Sequence, residues 1–209
     1  MPYQNDVFIS YRREEYLWTP WARDYLKKAL QSYLQRELGV PANVFFDEQI
    51  PVGSNYVEHL AEALAQSKIM VAVLSRDYFS SPWCVHELDL MIERAAGNDL
   101  IIPIVVHDGE VIPDAVGKLQ YADFKKFANP ALCDAGPLYA EFYQAFAQLA
   151  PRIGKAIEDG PAFDAQWLRR FKRRLAEVYE ASRAKKEILP KNFVLKKVSR
   201  LKILPRLKP

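Results

Sequence analysis

The chain has 209 residues, half of them hydrophobic and 12% aromatic, with a formal net charge of +3. That composition carries a packed core and excludes wholesale disorder, and the length suits one domain of ordinary size with a remainder. No apolar run approaches the about 20 residues that span a bilayer, and two cysteines, Cys84 and Cys133, amount to neither a disulfide framework nor a metal site.

Zinc and Cys/His nucleophile chemistry are set aside with them, because Cys84 falls on a core-facing helical arc and the three histidines are widely separated. The first residues, MPYQND, lack a basic stretch followed by an apolar one, so a reducing, cytoplasmic setting is the expectation. The small net charge conceals an asymmetry. Residues 161–209 hold 15 Lys or Arg against 4 Asp or Glu, which leaves 14 against 22 for residues 1–160.

In chain order, residues 6–11 (DVFISY) read as a short apolar strand that ends in the polar run Arg12, Arg13, Glu14, Glu15. Thr19 and Pro20 offer a cap and a first-turn proline for a helix with apolar positions at Ala22, Tyr25, Leu26, Ala29, Leu30, Tyr33 and Leu34, ended by Gly39. Residues 44–46 (VFF) form the next strand. A loop from Asp47 through Gly53 to Asn55 follows, then a helix through Val57, Leu60, Ala61 and Leu64. Residues 69–74 (IMVAVL) make an unbroken apolar strand. Ser80, Ser81 and Pro82 then start a helix that runs to about Ala96, where Gly97 and Asn98 stop it. At about 100° per residue, Cys84, Leu88, Met91, Ile92 and Ala95 gather on its core-facing arc. His86, Asp89 and Glu93 lie opposite, with His86 expected at the surface. Glu87 falls between the two, on the rim of the apolar arc and one turn from Trp83. A strand over 100–106, a short last strand around 119–123 and a helix from Leu138 to about Ile157 complete the pattern.

Continuous rather than alternating apolar strands mean burial on both faces, as in a parallel sheet between helices. Five strands interleaved with helices predict an α/β, doubly wound, five-stranded parallel sheet over residues 1–158. In such sheets ligands sit beyond the carboxyl ends of the strands, where strand order reverses. That edge gathers Ser10, Tyr11, Arg12 and Arg13, the stretch from Asp47 to Gly53, and the stretch from Ser75 to Glu87. Neither GxGxxG nor GxxxxGK[ST] occurs, so no Rossmann dinucleotide site or P-loop is encoded.

Five segments, DVFISYRR at 6–13, VFFDEQIPVGSN at 44–55, IMVAVLS at 69–75, SPWCVHEL at 81–88 and IIPIVV at 101–106, resemble the successive boxes of the TIR (Toll/interleukin-1 receptor) domain family in order and spacing. The family fold is the flavodoxin-like sheet inferred above. The resemblance implies two activities: some members are protein-interaction adaptors, and others cleave NAD+ at its nicotinamide–ribose bond and in some cases cyclise the product. In the enzymatic branch the glutamate matched by Glu87 is catalytic, and Trp83 matches its tryptophan. Receptor-type members carry an Arg-Asp-x-x-Pro-Gly pattern after the second strand. Here DEQIPVG stands instead, which together with Arg12 and Arg13 looks more like the NAD+-cleaving branch, including its bacterial members. The resemblance implies a defence or cell-death signalling role, NAD+ as substrate with no cofactor or metal, and activity switched on by homo-oligomeric TIR–TIR contacts or by a partner or trigger.

Breaking an N-ribosyl bond builds positive charge on the ribose, and one carboxylate beside that ring stabilises it. Nicotinamide already bears positive charge and leaves neutral, so no general acid is required. Trp83 either stacks on the nicotinamide ring or seals the core as a helix-edge indole. Arg12 and Arg13 either pair with the diphosphate through their guanidinium forks or stay solvated. Asp47 either orients a ribose hydroxyl or caps its own loop through a side-chain turn. Ser10 and Tyr11 shape the pocket floor, and Gly53 permits a backbone turn that other residues resist. Glu87 itself either acts on the ribose or pairs with Arg94 or solvent.

Residues 159–209 form a basic extension. Within 163–187, Phe163, Trp167, Leu168, Phe171, Leu175, Val178 and Tyr179 share one helical face while Arg169, Arg170, Lys172, Arg173 and Arg174 lie elsewhere. Such a helix docks on the TIR domain or on a partner protein, touches acidic lipid or nucleic acid together with the tail beyond Pro190, or links to a further region.

Overall fold

A computed structural model describes residues 3–13, 18–50, 54–107, 119–128 and 136–184. Gly53, Cys133 and the tail from 185 onward lie outside the described residues. Strands β1 (Asn5–Ser10), β2 (Val44–Phe45), β3 (Ser67–Leu74), β4 (Ile101–Val105) and β5 (Ala122–Asp123) form one sheet in the order β2-β1-β3-β4-β5. Every pairing is parallel. This is the flavodoxin-like, doubly wound α/β order expected from the sequence, and strand order reverses between β1 and β3. In that pairing Val7 lies opposite Ile69 and Ser10 opposite Ala72, so Ser10 is the last β1 residue in register with β3.

The helices are α1 (Trp18–Trp21), α2 (Lys27–Leu38), α3 (Tyr56–Ala65), α4 (Arg76–Ser80), α5 (Pro82–Ala95), α6 (Pro137–Glu158) and α7 (Ala165–Arg183). The helix predicted from Thr19 begins one residue earlier, and a π-helical turn over Ala22–Leu26 joins α1 to α2. Gly39 ends α2 with φ at 69°, the left-handed conformation that suits glycine. One face of the sheet is covered by α2 and α6, whose backbones come close at Gly154. A Cβ added there would sit 3.0 Å from the Glu37 Cβ. Among the described residues no helix is long and apolar enough to cross a membrane.

Helix α5 starts as its sequence demands, with Pro82 in the first turn and Ser81 Oγ accepting from the Cys84 N–H at 3.4 Å. Its end differs from expectation. Ala96, ahead of Gly97, already turns left-handed, at φ 46° and ψ 33°. A Cβ in that region is strained by about 1 kcal/mol, against a smaller entropic gain from having alanine in the unfolded chain. Ala96→Gly should therefore raise stability by about 0.5 kcal/mol, measurable as a higher urea midpoint at unchanged slope.

The predicted amphipathic helix forms as α7 and packs on α3 and α5. Phe171 and Leu175 are fully buried. Ion pairs ring the seam: Lys172 Nζ reaches Glu58 and Glu62 at 2.9 and 2.7 Å, Arg174 reaches Asp89 at 3.6 Å, and Arg170 pairs with Glu93. The docking corrects the expectation for the outer arc of α5. His86 and Asp89 are each only 4% exposed, because α7 covers the face that helical periodicity assigned to solvent. Periodicity finds which residues share a face; it does not say whether another helix will lie on it.

Candidate active site

Site side chains come from three chain segments that meet at the carboxyl edge of β1 and β3. β1 delivers Ser10, its last residue, and the backbone beyond it Tyr11, Arg12 and Arg13. The turn after β2 delivers Asp47, the first residue of a short 3-10 helix that runs to Gln49. The first turns of α5 deliver Trp83, Cys84 and Glu87. Apart from Ser10, these groups and Tyr56, the first residue of α3, surround a cavity of about 240 Å³. All the site residues expected from sequence and described in the structure therefore fall together, apart from Ser10, which lies directly behind Glu87.

Glu87 is 6% exposed, deeper than the rim position expected for it, yet it forms part of the cavity wall. Ser10 Oγ donates to its Oε2 at 2.6 Å and, having one hydrogen, accepts from the Tyr78 hydroxyl at 2.8 Å. Burial pushes the Glu87 carboxyl up from 4.5 to about 8, the Ser10 hydrogen bond working against the rise and the charge of Asp47 with it. The pairing with Arg94 weighed from sequence does not form. Arg94 instead donates to the carbonyl of Ser67 at 2.9 Å and to the Tyr3 hydroxyl at 2.6 Å, at the amino end of β3.

That raised carboxyl has a consequence for stability. Between pH 4.5 and about 8 the folded chain holds a proton that the unfolded chain has released. Stability must then fall as pH rises through that window. Glu87→Gln should flatten that segment of the profile and leave the protein more stable than the parent above about pH 8, in melting curves taken across about pH 5 to 9.

Asp47 is 8% exposed. Its Oδ1 accepts from the Tyr11 hydroxyl at 2.5 Å and its Oδ2 from the Tyr56 hydroxyl at 3.3 Å, with Arg13 at 3.8 Å. The side-chain cap of its loop comes from Gln49, whose Oε1 accepts from the Phe46 N–H at 3.0 Å. The carboxylate is thus fixed by two phenols and faces the cavity. Burial holds both phenols, and likewise the Cys84 thiol, well above their ordinary values, so all three stay protonated donors. Cys84 spends its hydrogen on the Tyr11 carbonyl, 3.3 Å away, and belongs to the core arc as expected. Arg12 is half-buried in the wall and Arg13 is largely exposed. Trp83 lines the cavity, standing edge-on to Tyr56 at 6.3 Å, and it also packs on Tyr179 of α7 at 6.4 Å.

Two site residues were not found from sequence, Tyr56 and Tyr78. Each follows a capping residue that was legible. Asn55 Oδ1 caps α3 directly before Tyr56, and Ser75 Oγ accepts from the Tyr78 N–H at 3.1 Å. A cap fixes the direction of the turn that follows it, so residues one and three positions on are held at the strand edge.

The cavity thus pairs an oriented, desolvated carboxylate with an aromatic wall and two guanidinium groups, at the ligand-binding edge of a doubly wound sheet. Residues 7–134 match the family model described as the TIR domain. The chain belongs to the TIR domain family. It is 31% identical over 160 residues to Protein SUPPRESSOR OF npr1-1, CONSTITUTIVE 1 of Arabidopsis thaliana, which covers 75% of this chain and 10% of that protein. An Arabidopsis thaliana TIR domain-containing protein is 28% identical over 71% of this chain and 49% of its own length. The 2' cyclic ADP-D-ribose synthase AbTIR of Acinetobacter baumannii (strain 1295743) is 32% identical over 101 residues, 47% of this chain and 34% of that protein. The TIR chain thus spans half or less of the length of these curated relatives.

Proposed function

We propose that this TIR chain is an NAD+ nucleosidase that breaks the nicotinamide–ribose bond, releases ADP-ribose or a cyclic isomer, and serves a defence or cell-death signalling system when copies assemble. The observation that carries the reading is the placement of Glu87: a buried carboxylate, hydrogen-bonded through one oxygen, in the wall of a cavity at the β1/β3 switch point. The name of the Acinetobacter relative, a cyclic ADP-ribose synthase, supports the same substrate class.

The C1'–N bond of the ribose breaks and its electron pair leaves with the pyridine nitrogen, which turns the cationic ring into neutral nicotinamide. Glu87 faces the cation that forms at the ribose, in buried surroundings where its charge acts more strongly than in bulk water. Capture by water gives ADP-ribose and a proton; capture by a hydroxyl of the same molecule gives a cyclic product. Trp83 and Tyr56 offer faces to the nicotinamide ring, Asp47 offers an acceptor to a ribose hydroxyl, and Arg12 and Arg13 suit the diphosphate. A cavity of about 240 Å³ has room for the nicotinamide–ribose half and not for the dinucleotide, so the rest of NAD+ extends outward past the arginines.

The test is nicotinamide release from NAD+ by purified protein over a concentration series, with the mass of the second product. Release whose specific rate falls on dilution is expected, because assembly switches the site on. Rates independent of concentration would remove the assembly requirement, and no release at any concentration would leave a TIR scaffold that recruits partners.

A further inference from the structure

The chemistry above leaves Tyr78 unused, although it is fully buried and its hydroxyl lies 2.8 Å from Ser10 Oγ. Helix α4 fixes it: Ser75 holds its N–H, and its ring stands edge-on to Phe79 at 5.4 Å. The direction of the resulting chain follows from counting hydrogens. An ionised Glu87 only accepts, so in that form Ser10 must spend its one hydrogen on Glu87 Oε2. Ser10 Oγ is then left as an acceptor, and the Tyr78 hydroxyl is the donor that fills it. The protonated form, which burial favours below about pH 8, also permits the reverse direction with Glu87 donating to Ser10, so donation from Tyr78 is tied to the ionised form.

We propose that Tyr78 is a positioning residue for the reaction: acting through Ser10, it favours the ionised form of Glu87 and fixes Oε2, so that Oε1 is the oxygen not committed to Ser10. This rests on the reading of Glu87 as the reacting carboxylate. The other groups facing Glu87 are Arg12 and Arg13 beyond β1, Tyr11 at its end, Asp47 after β2, Tyr56 of α3 and Cys84 of its own helix. Of these, Asp47 opposes its ionised form, while the two phenols and the thiol stay neutral because burial raises them. Deleting the Tyr78 hydroxyl removes none of these, so its effect reports on the chain alone.

The experiment measures the proton affinity of Glu87 in two ways on the full chain: the midpoint of kcat/KM for NAD+ against pH, and the upper limit of the pH window in which melting temperature falls. Tyr78→Phe should move both midpoints up by about one pH unit, lowering kcat/KM about tenfold near neutrality and little at high pH, where Glu87 is ionised regardless. Ser10→Ala should move them at least as far, and adding Tyr78→Phe to it should move them no further. Ser10→Thr, which keeps the hydroxyl, should restore the parental midpoint even if Tyr78→Phe folds poorly. Unmoved midpoints in Tyr78→Phe, or an equal shift in the Ser10→Ala background, overturn the proposal. A shifted melting window without any nicotinamide release overturns the catalytic reading of Glu87 and leaves the hydrogen-bond chain standing, whereas release with an unshifted window overturns the role of Tyr78 alone.

Discussion

Glu87→Gln should abolish nicotinamide release from NAD+, with kcat/KM lowered by about 10³-fold or more, while the protein remains folded. The size follows from the setting. Removing a single neutral donor from a developing charge costs about 10² to 10³ in rate, and here the substitution removes the negative charge itself from the ionised, reactive form of a buried Glu87. The fold survives for an equally local reason. Glutamine is nearly isosteric, its amide oxygen can still accept from Ser10 Oγ, and the substitution removes a carboxyl that the interior already holds mostly protonated up to about pH 8. Loss of activity together with unchanged or higher stability is therefore the diagnostic pair, read from nicotinamide release and a denaturant curve on the same sample. Retention of more than about a tenth of the parental rate would contradict an electrostatic role of this size.

Phe171→Ala should be the most destabilising single change on α7, by about 3 to 5 kcal/mol. Phe171 is fully buried against α3 and α5 and stands 5.7 Å from the Trp167 ring, so its removal leaves a cavity as well as forfeiting transfer energy. The charged rim is a poor substitute. Arg170 is 47% exposed in its pair with Glu93, and Arg170→Ala should cost less than about 1 kcal/mol. A urea titration of both variants separates the two contributions. Because Tyr179 on the same helix packs on Trp83, undocking of α7 should also loosen one wall of the active-site cavity. A loss of less than about 1 kcal/mol in Phe171→Ala would show instead that the docking of α7 on α3 and α5 contributes little to stability.

Legibility from sequence tracked how local the determining physics is. The unbroken apolar run of β3 announced a strand buried on both faces. Ser81 and Pro82 announced the start of α5, and the order of elements announced a parallel sheet with its ligand edge at Ser10, Asp47 and Glu87. All of these follow from backbone propensity, capping and the two side-chain periods, which act over a few residues.

The less accurate expectations share one cause. His86 and Asp89 were assigned to solvent and Glu87 to a rim because helical spacing sorts residues around one helix, whereas their burial depends on α7, about 80 positions further along the chain, and on Ser10, 77 residues earlier. The hydrogen bond of Tyr78 carries no local signal for the same reason, its hydroxyl acquiring a partner only when β1 and β3 lie side by side. The elements, their order and the residue types at the ligand edge thus follow from local pattern. How deeply Glu87 lies, which hydrogen reaches it and what raises its proton affinity follow from the folded arrangement, because desolvation and hydrogen bonding depend on three-dimensional neighbours that no local pattern specifies.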